Sequence, residues 1–315
     1  VAIRVGSGDH FIANVDNVAF EHGLYAVETV PGAKHGEETV ERAIGPIESE
    51  FAAARDRLAM AGQLVGAADA SAVLAMVASL RLRTPGALRD ADTMMDGFMK
   101  AHVVRMICDR GERERAIDVA RRSGTSPADA EKALDAMRAL PDYRVEPSQT
   151  GRIGTMLENA SVLNGIFLEM NWSIERATGA RKFITSDYPV SISARKPRVG
   201  RGIGFEDRDA EVVCPLTREF AIVGRWGGFQ HRAVADARVD QLNRRTAWFA
   251  TRHLFAESED ARNMTYARAF TGAPRVCTEG LPSRVDDEVA RRGEIEVKQY
   301  LYPVPWDPPR RDKAG

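Results

Sequence analysis

Lys182-Phe183-Ile184-Thr185-Ser186-Asp187-Tyr188-Pro189-Val190 carries a short apolar strand straight into two hydroxyls and a carboxylate, with a proline close behind. Such punctuation marks a strand end, where side chains are held firmly. Alternation puts Thr185 and Asp187 on one face and Ser186 on the other. Upstream, Trp172-Ser173-Ile174-Glu175 alternates, Thr178-Gly179-Ala180 reads as a turn, and Lys182–Ser186 returns as a strand. Downstream, Glu211–Cys214 and Phe220–Val223 form a second strand pair around Pro215-Leu216-Thr217-Arg218. A helix is predicted over 233–256, with Val239, Leu242 and Thr246 on one side.

Ahead of this sheet-bearing part the period changes to that of helices. Val40, Ile44, Ile47, Phe51, Ala54 and Leu58 line one face of a long helix, with Glu41 in its first turns and Gly45-Pro46 starting or bending it. Further helices are predicted over about 69–82, 87–109 and 150–170. The second carries an apolar stripe of Met95, Phe98 or Met99, His102 and Met106, and the third one of Ile153, Met156, Leu163 and Phe167. Ser126-Pro127 with Asp129 is a helix start. Val1, Ile3 and Val5 alternate before a Gly6–Asp9 turn, and Gly23–Val27 is a further candidate strand. The fold class is α+β, a helical front half (about 37–170) packed on a small, mainly antiparallel sheet in the rear half (171–260). These make one domain over 1–260; residues 261–315 form an extension with a proline-rich tail.

The chain has 315 residues, 44% hydrophobic and 28% charged, with net charge -1. That is globular composition without the basic excess of a duplex nucleic-acid binder. No apolar run of about 18 residues suggests a membrane span. Cys108, Cys214 and Cys277 form no zinc spacing, and a reducing cytoplasm fits them. The chain opens on Val1, which suggests trimming or numbering from an internal point.

Phe183-Ile184-Thr185-Ser186-Asp187-Tyr188-Pro189-Val190, then Pro215-Leu216-Thr217, then Leu242-Asn243, resembles the DUF4238 family, a domain of unknown function often found in bacteria. Glu48 and Leu82-Arg83-Thr84-Pro85 with Arg89 resemble its middle segments, so the likeness spans about 15–260. The family's His-Tyr-Val-Pro-like opening has no counterpart here. The resemblance implies that Asn243 braces the Asp187 loop.

Asp187 is the candidate metal ligand or water-activating group, with Ser186 and Thr185 assisting; the alternative for this stretch is a hydrogen-bonded turn ahead of Pro189. Arg83 and Arg89 flank the Thr84-Pro85-Gly86 break and could aim guanidinium forks at one anion, or pair with Asp92, Asp96 or Glu48. Glu48 is the second candidate ligand for a divalent metal, and Asn243 a candidate substrate contact. A metal-assisted hydrolase acting on a phosphate-bearing or other anionic substrate is the leading expectation. A non-catalytic binding or regulatory module, with a small anionic ligand or a protein as its partner, is the alternative, and a defence-associated nuclease a third.

Overall fold

The computed structural model describes residues 1–12, 39–138, 144–195, 202–228, 232–269, 275–282, 285–292 and 297–301. The candidate strand at Gly23–Val27, the acidic residues ahead of Thr39 and the proline-rich tail lie outside them. The fold is α+β with mostly antiparallel sheets, and the described residues form two compact units. Among them no helix is long and apolar enough to cross a membrane.

The first unit comprises Val1–Arg89 and Gln149–Arg275. Its helices are α1 (Thr39–Ala61), α2 (Ala67–Arg83), the first turn of α3 (Pro85–Cys108) and α6 (Gln149–Glu169). Val40 and Ile44 of α1, Leu88 of α3, and Ile153 and Met156 of α6 close one apolar cluster. Helix α1 runs through Pro46 rather than starting after it. Proline removes one backbone donor there, and the burial of Val40, Ile44, Ala54 and Leu58 on either side holds the helix.

A five-stranded sheet follows in the order β5 (Ser191–Ala194), β6 (Ala210–Pro215), β7 (Phe220–Arg225), β3 (Asn171–Ala177), β8 (Arg232–Val234). Its pairs are antiparallel except β3–β8, which is parallel. A four-stranded sheet takes the order β2 (His10–Phe11), β1 (Ala2–Arg4), β9 (His253–Phe255), β4 (Thr185–Ser186). The strand expected over Lys182–Ser186 is therefore short and pairs with β9, in a different sheet from β3. Helix α7 (Asp236–Phe249) is shorter than the 233–256 expectation, because the chain turns into β9. Its Val239 and Leu242 pack on Ala177, Val213, Ala221, Val223 and Val234 of the five-stranded sheet. Its last turn joins Ile3, Ile184, Leu254 and, from α8 (Ala261–Ala269), Tyr266 and Ala267 in a second cluster.

The second unit comprises Asp90–Ser148 and Val276–Leu301. It holds the rest of α3, then α4 (Arg110–Arg122), α5 (Pro127–Ala136), α9 (Asp287–Arg292) and the hairpin of β10 (Val276–Glu279) with β11 (Lys298–Leu301). Ser126 caps α5 as its sequence indicates, its Oγ accepting the Asp129 N–H at 3.1 Å. The inward face of α3 departs from its sequence reading. Met95, Phe98, Met99 and His102 are exposed, and Val103, Val104 and Ile107 are buried with Val285. At Gly97 the helix meets Thr278 and Gln299 of the hairpin, where a Cβ would collide with both side chains. The Met94 carbonyl there accepts the Gln299 amide at 2.9 Å. The missing side chain at Gly97, more than the methionine stripe, decides which side turns inward.

Candidate functional site

Ser186 and Asp187 of the Thr-Ser-Asp segment are fastened by hydrogen bonds. Asp187 Oδ1 accepts the Thr251 N–H at 2.9 Å, and Oδ2 accepts the Arg252 N–H at 2.8 Å together with the Thr251 hydroxyl. Ser186 Oγ accepts the Tyr188 N–H at 3.1 Å, the local turn that serine favours before proline. Asn243 reaches across from α7. Its Oδ1 accepts the Ile184 N–H at 3.1 Å and its Nδ2 donates to the Lys182 carbonyl at 2.8 Å, the bracing that the resemblance implies.

The Thr84-Pro85-Gly86 break arrives at the same place. A Cβ on Gly86 would lie 2.7 Å from Tyr188 Cδ1 and 2.9 Å from Thr251 Cγ2. Arg81 is buried, donates to the Tyr188 hydroxyl and lies 4.8 Å from that ring's centre, with Phe205 and Phe249 also within cation–π range. Arg83 pairs with Glu48 at 2.6 Å, and Arg89 is exposed. Glu48 and Arg83 thus meet each other, while Asn243 and Asp187 serve one strand and the turn after it. Among the described residues no group of three or more His, Cys, Asp or Glu side chains could hold a metal.

A different group of residues gathers under α7, on the sheet face formed by the odd-numbered positions of β3, β5, β6 and β7. Register places Asn171, Arg225, Glu211 and Ser193 in one row, and Ser173, Val223, Val213 and Ser191 in the next. Glu175, two residues beyond Ser173, stands opposite Arg232 of β8. From α7, Arg238 and Arg245 reach down about two helical turns apart. Both carboxylates are buried, Glu175 at 0% and Glu211 at 1% exposure. Glu175 accepts from Arg232 Nη2 at 2.7 Å and Arg238 Nε at 2.8 Å. Glu211 takes Arg225, Arg245 and, at 3.1 Å, Arg238 Nη2.

Electrostatics keep Glu211 ionised. Burial pushes the Glu211 carboxyl up, but Arg245, Arg238 and Arg225 reverse it and hold its pKa at about 2. Burial lowers the Arg245 pKa; Glu211 opposes that, while Arg238 and Arg225 add to it as like charges. On the same face the hydroxyls of Ser173, Ser191 and Ser193 are buried and find no hydrogen-bond partner among the described residues. A buried hydroxyl without a partner costs about 1–3 kcal/mol. Guanidinium forks beside such hydroxyls suit the oxygens of a phosphate or carboxylate.

Sequence reading passed over this cluster. Glu175 and Glu211 fall in strand segments and Arg245 beside Arg244 in a helix, positions that ordinary solvent-facing charges share. The signal available was narrow: polar residues on one strand face, and two arginines at heptad spacing on the helix that follows.

Comparison with curated proteins and with solved structures finds no match. The profile of a family described as a protein of unknown function, DUF4238, matches residues 6–260. That span takes in both the Asp187–Thr251 fastening and the arginine–serine face, and this chain belongs to the DUF4238 family.

Proposed function

We propose that this protein is a binding module for a small anionic ligand, held through phosphate or carboxylate oxygens on the arginine–serine face beneath α7. The observation that carries this reading is the trio of buried, unpartnered hydroxyls, Ser173, Ser191 and Ser193, on the face that holds Arg225, Arg232, Arg238 and Arg245. Hydroxyls can donate to an incoming oxyanion without rebuilding the Glu175 and Glu211 pairs. Arg232, with 46% of its side chain exposed, marks the side open to solvent. A purely structural cluster would need the arginines and glutamates but not the serines, where alanine would pack as well.

The metal-assisted hydrolase reading ranks second. It would require Asp187 to release Thr251 and Arg252, whereas anion binding asks for no such rearrangement.

The test is calorimetric titration with inorganic phosphate, citrate and a nucleoside monophosphate, on the wild type and on Ser193→Ala and Arg232→Gln. Saturable binding of one of these anions, weakened about tenfold by either substitution with the fold intact, supports the reading. Absence of binding by all three, or binding indifferent to both substitutions, removes it.

A further inference from the structure

Helix α6 buries one side, through Ile153, Met156, Leu163 and Phe167, and leaves an apolar side open. Leu157, Val162 and Leu168 are 44%, 63% and 61% exposed. Among the described residues, no atom lies within 4 Å of where a Cβ would stand on Gly154 or Gly165. At about 100° per residue, Leu157, Leu168, Ser161, Gly154 and Gly165 fall in one outward stripe, with exposed Glu158 at its edge and Val162 beyond.

The order of residues in that stripe is self-complementary. Counted outward from Ser161, Gly154 mirrors Leu168, and Leu157 mirrors Gly165. An antiparallel copy of the helix, related by a two-fold axis at Ser161, would set each leucine into the hollow over a glycine. Large side chains seated on small ones let two helices approach closely. A two-fold contact of this kind closes after two copies, since the same patch serves both.

Charge favours the same arrangement. Glu169 is exposed in the last turn of α6, beside the negative end of its own helix, and that turn carries no basic residue. In an antiparallel pair it stands beside the positive first turn of the copy. We propose that the open face of α6 is a homodimer interface, occupied by a second copy of this chain in antiparallel register about Ser161.

Its strength follows from its size. A helix of 21 residues is about 31 Å long, and a strip about 10 Å wide covers roughly 300 Å² per copy. A standard interface buries about 800 Å² per partner, so the pair is a weak, reversible one.

The experiment is sedimentation equilibrium over about 1–200 μM, combined with cysteine cross-linking. Helix axes 8–10 Å apart bring the two Ser161 Cα atoms to roughly 4–6 Å, within disulfide reach. The wild type shifts from monomer towards dimer across this range. Ser161→Cys forms a cross-linked dimer under mild oxidation, and Thr155→Cys, off the stripe, does not. Gly165→Glu places a charge in the hollow without weakening the helix, since glutamate is the better helix former. It abolishes both the mass shift and, combined with Ser161→Cys, the cross-link. A monomer throughout with no Ser161→Cys product overturns the proposal. So does equal cross-linking from Thr155→Cys, or a dimer indifferent to Gly165→Glu.

Discussion

Asp187 grips Thr251 twice, through the backbone N–H at 2.9 Å and through the hydroxyl, just past the Ala250 that ends α7. One carboxylate thereby ties the end of β4 to the end of a helix. Hydrogen bonds to a charged group contribute about 1.5–3 kcal/mol each, though not additively. Asp187→Ala is expected to cost roughly 2–4 kcal/mol, and Asp187→Asn about half that. Urea denaturation checks this. Unchanged stability together with lost metal affinity would return Asp187 to a chemical role.

Gly86 leaves no room for a side chain against Tyr188. With the nearest ring carbon 2.7 Å from a built Cβ, Gly86→Ala must displace Tyr188 or the first turn of α3. Overpacking of this kind costs about 1–3 kcal/mol. The lost midpoint in urea should be partly restored by Tyr188→Leu in the Gly86→Ala background. A Gly86→Ala protein as stable as the wild type would refute the close approach.

Glu211 makes stability depend on acid. Its folded pKa, about 2, lies below the usual 4.5, so the folded state favours the ionised form. The stabilisation is present in full above pH 4.5 and fades as pH falls towards 2. At about 1.4 kcal/mol per unit it amounts to roughly 3 kcal/mol. Denaturation at a series of pH values should show this loss in the wild type and a flatter profile in Glu211→Gln, which starts from lower stability. Equal slopes in the two proteins would count against it.

The thiols report on the core. Cys214 is fully enclosed, and burial pushes its pKa up to about 12; burial also raises Cys108. The thiolate is the reactive form, so Cys214 should resist iodoacetamide in the native protein and react on unfolding. Mass spectrometry of the labelled peptides distinguishes the two sites. Native labelling of Cys214 at the rate of a free thiol would contradict its enclosure.

Features written into neighbouring residues were legible in the sequence. The Ser126 cap, the buried face of α6 and the strand end at Thr185–Ser186 each depend on a few positions, and local chemistry decides them. Pairing was not legible. β4 joins β9 because Asn243 of α7 holds the residues before it and Asp187 holds Thr251 and Arg252 just ahead of β9, contacts that no periodicity announces. The inward side of α3 was misread because apolar spacing weighs methionines and ignores the contact that Gly97 makes with the hairpin. The arginine–serine face stayed hidden for a related reason: its members come from β3, β5, β6, β7, β8 and α7, and each is unremarkable in its own segment.

The pairing of β1 sets a timetable for biosynthesis. Val1 and Ala256 exchange backbone hydrogen bonds across 255 positions, and Ile3 sits opposite Leu254. A ribosome adding roughly 5–20 residues per second needs on the order of tens of seconds to deliver the second partner. Until then Ala2 and Ile3 have only the two-residue β2 to pair with. Through that interval the strand-prone stretch Ala2–Arg4 lacks its β9 partner, a natural point for a chaperone to hold.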